Sequence, residues 1–354
     1  MHPRDILLGA QAAAGFLPVC DHYSGVEARM KKSLELQASM SEEFGACVFD
    51  VSLDCEDGAP VGGEKNHANM VVALANQAHE ASKNVAIGII PRIAVRVHPV
   101  DHPAFADDVA TVVGGAGDVL CHLMVPKVEM VADIEVAVRA IDAAALKGRR
   151  ASPLPLHVLI ESPGAVHQAF AIAAHPRVLS LSFGLMDFVS AHGGAIPASA
   201  MDSNAASQAL GIGQFSHPLV VRAKLEIASA CHASGKVPSH CVVTEFSDTA
   251  AMKNAALRAS REFGFTRMWS IHPSQIRPIL DAFAPSDAEI DDATRIVVSG
   301  ERAHWAPIQV DGRLHDRASY RYFWQVLERA HQTGRALPAS AQSYFSTSTS
   351  TSTP

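Results

Sequence analysis

Eight short apolar runs punctuate the chain, and most lead into a longer stretch in which apolar residues return every three or four positions. The runs are 16–20 (FLPVC), 46–55 (ACVFDVSLDC), 94–98 (AVRVH), 119–126 (VLCHLMVP), 156–160 (LHVLI), 178–183 (VLSLSF), 238–244 (PSHCVVT) and 267–271 (RMWSI). Helical spacing appears in 26–43, 64–81, 107–113, 131–146, 166–174, 219–233 and 249–263, for example at Met70, Val71, Leu74 and Ala78. Strand and helix signals in this alternation predict parallel βα units. Eight such units make an α/β fold of the closed TIM (β/α)8 barrel type.

From Pro285 the rhythm changes. A helix opens near Ser286 with acidic residues in its first turns, as the helix dipole favours. A polar insert, 309–319, and another helix, 320–331, follow. The expected organisation is a barrel over 1–285, a C-terminal helical extension over 286–340 acting as a lid on the barrel or over its mouth, and a disordered tail over 341–354. That last stretch ends in a Ser/Thr repeat with nothing to bury.

Composition narrows the functional classes. Hydrophobic residues make up 48% of the 354 positions, enough for a large core, and the net charge of −7 comes without a basic run. General nucleic-acid binding is therefore excluded. The six cysteines (20, 47, 55, 121, 231 and 241) form no CxxC pair and most sit in or beside apolar runs, as free thiols rather than disulfides or zinc ligands. The N-terminus is interrupted by Arg4 and Asp5 and does not read as a signal peptide. No run approaches the roughly 18–20 apolar residues of a membrane span. A soluble, cytoplasmic protein is expected.

In a barrel of this kind chemistry is built at the carboxyl ends of the strands. Glu161 follows the fifth run and Asp187 the sixth, with one helix between them. They are either the oxygen ligands of a hard divalent ion, Mg2+ with Mn2+ as the alternative, or helix-start acids stabilised by the dipole. Arg96 lies inside an apolar strand, where an unpaired charge is very costly. It either receives a substrate carboxylate on its two-pronged guanidinium or pairs with the acidic turn Asp54, Glu56, Asp57. Lys127 reads as a substrate clamp or a carboxylate's partner; neighbouring acids would raise its pKa and oppose Schiff-base use. Glu56 and Asp57 are expected to hold Arg96 and Lys127 in place around the substrate. His272 closes the eighth run and is kept as a further candidate. There is no GxSxG elbow, HExxH pair, Walker loop or well-placed GxGxxG, which disfavours nucleotide hydrolysis and nicotinamide chemistry.

Six segments in fixed order carry a resemblance: LDCEDGAPVGGEK (53–65), VRVHP (95–99), MVPKVE (124–129), LIESPGAV (159–166), LSFGLMDF (181–188) and WSIHPSQI (269–276). Together they resemble the citrate lyase β-subunit-like family, which includes malyl-CoA lyases and belongs to the HpcH/HpaI aldolase group. The resemblance implies a Mg2+-dependent carbon–carbon lyase. Its substrate would be a 3-hydroxyacyl-CoA such as malyl-, methylmalyl- or citryl-CoA, and its products an acyl-CoA and a 2-oxo acid, or the reverse. It further implies Glu161 and Asp187 as metal ligands and Arg96 as the clamp for the oxo acid. Asp316, in VDGRLHDRASYR (310–321), would be the acid–base carboxylate on a lid segment, and the assembly a homo-oligomer, trimer or hexamer. FLPVCDHYSG lacks the family's Arg-Ser start and Val-Pro-Gly turn, so the manner of CoA binding does not carry over. An aldolase acting on a free 4-hydroxy-2-oxo acid, with His22 as base, is the alternative within enzymes. A non-catalytic subunit with a vestigial site is the alternative outside them.

Overall fold

The computed structural model describes residues 2–9, 17–83, 89–148 and 152–345. Eight parallel strands close into a barrel in sequence order. They are β1 (Cys20–Ser24), β2 (Phe49–Asp54), β3 (Ile93–Arg96), β4 (Leu120–Val125), β5 (Leu156–Ile160), β6 (Val178–Phe183), β7 (Val237–His240) and β8 (Arg267–Ser270). After α1 (Pro3–Leu8), the helices that alternate with the strands are α2 (Glu27–Phe44), α3 (Glu64–Ser82), α4 (Phe105–Ala116), α5 (Val131–Gly148) and α6 (Pro163–Ala174). The short α7 (Leu185–Ser190) and α8 (Ala205–Ala209) follow β6, and α9 (Pro218–Ala233), α10 (Thr249–Arg261) and α11 (Ile276–Phe283) complete the ring. The barrel inferred from the hydrophobic pattern is the fold.

The fifth and sixth strands fall on the expected residues; the first does not. β1 is CDHYS, four residues beyond the start of the apolar run FLPVC. Its polar residues read as a turn because a barrel strand normally looks apolar on both faces. Here the interior is itself charged. Asp21 (β1), Asp50 (β2), His122 (β4), His157 (β5) and Arg267 (β8) are all fully buried. Arg267 Nη2 pairs with Asp50 Oδ2 at 2.8 Å and Asp21 Oδ2 at 3.1 Å, while its Nη1 donates to the Pro18 carbonyl at 2.9 Å. Arg92 Nε donates to Asp50 Oδ1 at 2.5 Å and the Ser52 hydroxyl to Asp21 Oδ1 at 2.7 Å. Two residues further along their strands, Met124, Leu159 and Trp269 form an apolar layer above this one. On the outward faces of the strands, Val51, Leu53, Val95, Leu123, Val158 and Leu181 join the main core with the helices.

Residues 16–283 form one compact unit, and 1–15 with 284–354 form another. Thus α1 belongs with the C-terminal segments rather than with the barrel. This second unit contains α12 (Asp287–Arg302), a hairpin of β9 (Ile308–Val310) and β10 (Arg313–His315), α13 (Arg317–Gln332) and α14 (Ala339–Gln342). Its core gathers Leu7, Ile290, Val297, Tyr320, Trp324 and Leu327. Residues 341–345, expected to open a disordered tail, are folded: Ala341 is buried and Phe345 stacks on Trp324, ring centroids 5.3 Å apart. The aromatic pair Tyr344–Phe345 supplies the apolar surface that the Ser/Thr repeat lacks. The rest of that expectation, 346–354, lies outside the described residues. Among the described residues no helix is long and apolar enough to cross a membrane.

Arg267→Met should be severe, because it leaves buried Asp21 without a cation and Asp50 with Arg92 alone. A loss of about 3–5 kcal/mol is expected, read from guanidinium or urea unfolding. A loss below about 1 kcal/mol would mean that the interior charges are held by something else.

Candidate active site

The mouth is assembled from the ends of five strands, β2 to β6. Glu161 follows the last residue of β5 and is only 6% exposed. Its Oε2 accepts the Lys127 backbone N–H at 2.7 Å. Lys127 follows β4 and Pro126 with φ of +52°, a left-handed turn that aims its amide at this carboxylate. After β6, Gly184 donates its N–H to the Ile160 carbonyl at 2.9 Å and caps α7. A Cβ at Gly184 would lie 2.4 Å from Glu161 Cγ and 2.5 Å from Oε1, so glycine leaves the space the carboxylate occupies. Asp187 sits exposed in the first turn of α7.

Electrostatics bring these groups into one site. Burial, then the neighbouring Asp187 charge, push the Glu161 carboxyl up to about 7. Burial would lower Lys127, but its bond to Glu56, with Asp187 and Glu161 nearby, raises it above its ordinary value. That agrees with a pairing role and opposes a Schiff base. Lys127 Nζ meets Glu56 Oε1 at 2.8 Å. Five carboxylates (Asp54, Glu56, Asp57, Glu161, Asp187) here face two cations (Arg96, Lys127). An all-oxygen donor set with excess negative charge fits a hard divalent ion, for which Glu161 and Asp187 are the residues that could serve as ligands.

Arg96, at the end of β3, is buried and held by four side chains. Nε and Nη2 reach Asp54 at 2.7 and 3.0 Å, Nη1 reaches Glu56 at 2.7 Å, and Nη2 also reaches Asp57 and the Tyr23 hydroxyl at 3.0 Å. Tyr23 in turn donates to Asp54 at 2.5 Å. The guanidinium carbon lies 4.9 Å from the centre of the Tyr23 ring, a cation–π contact. Burial would raise the Asp54 carboxyl, yet Arg96 overrides it and holds it below its ordinary value. The acidic turn is therefore the arginine's cradle. Asp57 is its most exposed wall, with a side chain 71% accessible.

Two groups escaped sequence reasoning. A cavity of about 550 Å³ opens at the ends of β1 and β8, lined among others by His22, Tyr23, Arg29, Lys32, Phe246 and His272. Arg29 and Lys32 lie one turn apart on α2 and were indistinguishable in sequence from a solvated helix face; their position just past β1 was the available signal. His22 shares a 2.8 Å hydrogen bond with Ser270 Oγ, and burial lowers it to about 4, so it is neutral. His272 caps a short helical turn through the Ser274 N–H at 3.2 Å and stacks on Phe246. Asp316 lies in the other unit, where its Oδ1 accepts the Ala318 and Ser319 amides and caps α13.

The raised Glu161 pKa predicts a stability signature. A carboxyl that binds its proton more tightly when folded stabilises below the unfolded value of about 4.5, and that stability is lost as pH rises through about 7. In metal-free protein, Glu161→Gln should thus be more stable than the parent above pH 7, by up to about 3 kcal/mol at ~1.4 kcal/mol per pKa unit. The gap should close towards pH 4.5. Urea titrations in chelator across this range check it; equal stability at pH 8 would contradict the burial argument.

Comparison with known proteins gives the family. The family model for HpcH/HpaI aldolase/citrate lyase matches residues 34–273. An L-malyl-CoA/β-methylmalyl-CoA lyase of Rhodobacter capsulatus is 32% identical over 289 residues, 79% of this chain and 86% of its own. A crystal structure of a citrate lyase from Burkholderia xenovorans LB400 is 46% identical, with TM-score 0.77 over 98% of this chain and 99% of that one. At the level of fold alone, the CitE protein of Mycobacterium tuberculosis, in complex with magnesium, acetoacetate and coenzyme A, aligns with TM-score 0.60 at 21% identity, covering 90% and 98%. The chain belongs to the HpcH/HpaI aldolase/citrate lyase family and is a carbon–carbon lyase.

Proposed function

We propose that the protein is a Mg2+-dependent lyase cleaving a 3-hydroxyacyl-CoA of the malyl-, methylmalyl- or citryl-CoA type into an acyl-CoA and a 2-oxo acid, or running the reverse condensation. The observation that carries this reading is the Glu161–Asp187 pair, one member buried and poised near neutrality beside an excess of carboxylates. The magnesium in the M. tuberculosis relative supports the choice of ion. The bound ion would supply charge stabilisation for the hydroxyl as it loses its proton and for the carbonyl that forms. Cleavage breaks the C2–C3 bond of the acyl chain and leaves its electron pair on the thioester as an enolate, which then takes up a proton.

The chain's own residues have separable tasks. Glu161 and Asp187 hold the ion, and Lys127 anchors Glu56 so that the cradle stays closed around Arg96. Arg96 receives the carboxylate of the oxo acid, with Asp57 as the exposed partner it can release. Asp316 is assigned the acid–base step on the enolate carbon. The cavity beside β1 suits the CoA handle: Arg29 and Lys32 offer cations for its phosphates, and Phe246 an aromatic face. The reading includes a homo-oligomer. The free oxo-acid alternative needs an accessible base, and His22 is buried and tied to Ser270.

Purified protein assayed with Mg2+ against the three CoA thioesters and free 4-hydroxy-2-oxo acids decides between the readings. Activity should require Mg2+ and vanish in Glu161→Gln and Asp187→Asn; no Mg2+-dependent cleavage of any thioester would refute it. Gly184→Ala should weaken Mg2+ by about 10–100-fold, as for other residues that shape a metal ligand's position, measured by calorimetry. Arg29→Ala and Lys32→Ala should each raise KM for the thioester by about tenfold with little change in kcat. Asp316→Asn preserves a good helix cap, so it should slow turnover without altering folding or Mg2+ affinity.

A further inference from the structure

We infer that the barrel holds a second, interior metal site, in which Asp21, His122 and His157 bind a divalent transition ion of the zinc class beneath the mouth. One ligand atom from each of these residues lies within 4.8 Å of the other two. Strand β1 neighbours neither β4 nor β5, so the three meet across the lumen. The decisive feature is unmet hydrogen bonding. His122 Nε2 and both ring nitrogens of His157 are buried with no hydrogen-bond partner among the described residues. An orphaned buried polar group costs about 1–3 kcal/mol, and native interiors rarely tolerate several together. Coordination would satisfy one nitrogen of each histidine.

The chemical form of the residues agrees. Burial lowers both imidazoles to about 3, so each is neutral and keeps a lone pair for a metal. Supporting contacts are in place: Ser52 fixes one oxygen of Asp21 at 2.7 Å, and His122 Nδ1 lies 3.3 Å from Cys121 Sγ. Arg267 touches Asp21 at 3.1 Å but also holds Asp50 at 2.8 Å. It can keep Asp50 when Asp21 turns to an ion. The interior carboxylates Asp21 and Asp50 are already balanced by Arg92 and Arg267, so charge alone would not draw a cation. Imidazole bonding must do so, which selects Zn2+, Co2+ or Ni2+ over Mg2+. The apolar layer of Met124, Leu159 and Trp269 lies above this layer, and His157 is four residues, roughly 13 Å, before Glu161 along the chain. The interior ion is thus a brace for the folded barrel and not a reactant.

The test uses full-length protein carrying Glu161→Gln and Asp187→Asn, which removes the mouth ligands. It is refolded with Zn2+ or Co2+ and dialysed exhaustively. One ion per chain should remain, Co2+ should show the visible bands of nitrogen ligation, and Tm should rise. Adding His157→Asn or His122→Asn should weaken retention by about a hundredfold or more. No retained ion and no Co2+ band in the mouth-deleted protein would overturn the site in favour of buried water, without needing either histidine variant to fold. Undiminished retention in a folded His157→Asn protein would overturn it equally.

Discussion

Barrel closure in this chain rests on a buried guanidinium. Arg267 opens β8, the last strand, and reaches Asp21 on the first and Asp50 on the second, while also holding the carbonyl of Pro18 ahead of β1. The seam between β8 and β1 has three residue pairs, Cys20↔Met268, Asp21↔Trp269 and His22↔Ser270, as many as β4–β5 and β6–β7. The ion pairs of Arg267 cross it as well. Burying these charges is tolerable because each is matched. Burial would raise Asp50, but Arg92 and Arg267 together drive its carboxyl below the usual range. The usual barrel solution, layers of branched aliphatic side chains, is replaced here by a balanced charged layer under an apolar one.

The mouth treats buried charge in the opposite way. Arg96 is saturated by acids, and acids remain in excess. Gly184 withholds a side chain so that the Glu161 carboxylate can lie against it, and burial then destabilises that carboxylate's ionised form. A local energetic fault of this sort is what a binding site looks like before its ligand arrives. The interior layer stabilises the fold, whereas the mouth draws on that stability.

These two layers were unequally legible in the sequence. Alternation of apolar runs and helical spacing gave the barrel, because outward-facing strand residues such as Val51, Leu53 and Leu181 are apolar as the rule demands. Glu161, Asp187, Arg96 and Lys127 stood out because each breaks an apolar run or follows one. The interior charges broke the same rule in a way that misled. Asp21, His22 and Tyr23 made β1 resemble a turn, and Asp50 and His122 passed unremarked inside apolar runs. Their meaning lies in partners up to 246 residues away, as between Asp21 and Arg267, which no local window sees. Arg29 and Lys32 were hidden for the converse reason: exposed cations on a helix are ordinary until a cavity wall is found behind them. Asp316 is marked in the sequence only by its segment, and its capping of α13 is invisible without the helix boundary.

An anionic mouth that must accept an anionic substrate poses one remaining physical problem. Five carboxylates would repel an oxo acid or a hydroxyacyl chain if all stayed ionised and unpaired. On the proposed reading, a divalent ion held by Glu161 and Asp187 would remove much of that repulsion, and ion binding would precede substrate binding. Arg96 then faces a choice of partners. Asp54 is fully buried and bonded twice to the guanidinium, and Glu56 is anchored by Lys127, so neither is easily given up. Asp57 makes one 3.0 Å contact from an exposed position, the geometry of a weak surface pair. If Arg96 takes the proposed role, exchange of Asp57 for a substrate carboxylate would cost little and leave the buried pairs intact. Specificity for an acid at that end of the substrate would then follow from how weakly one wall of the cradle is held.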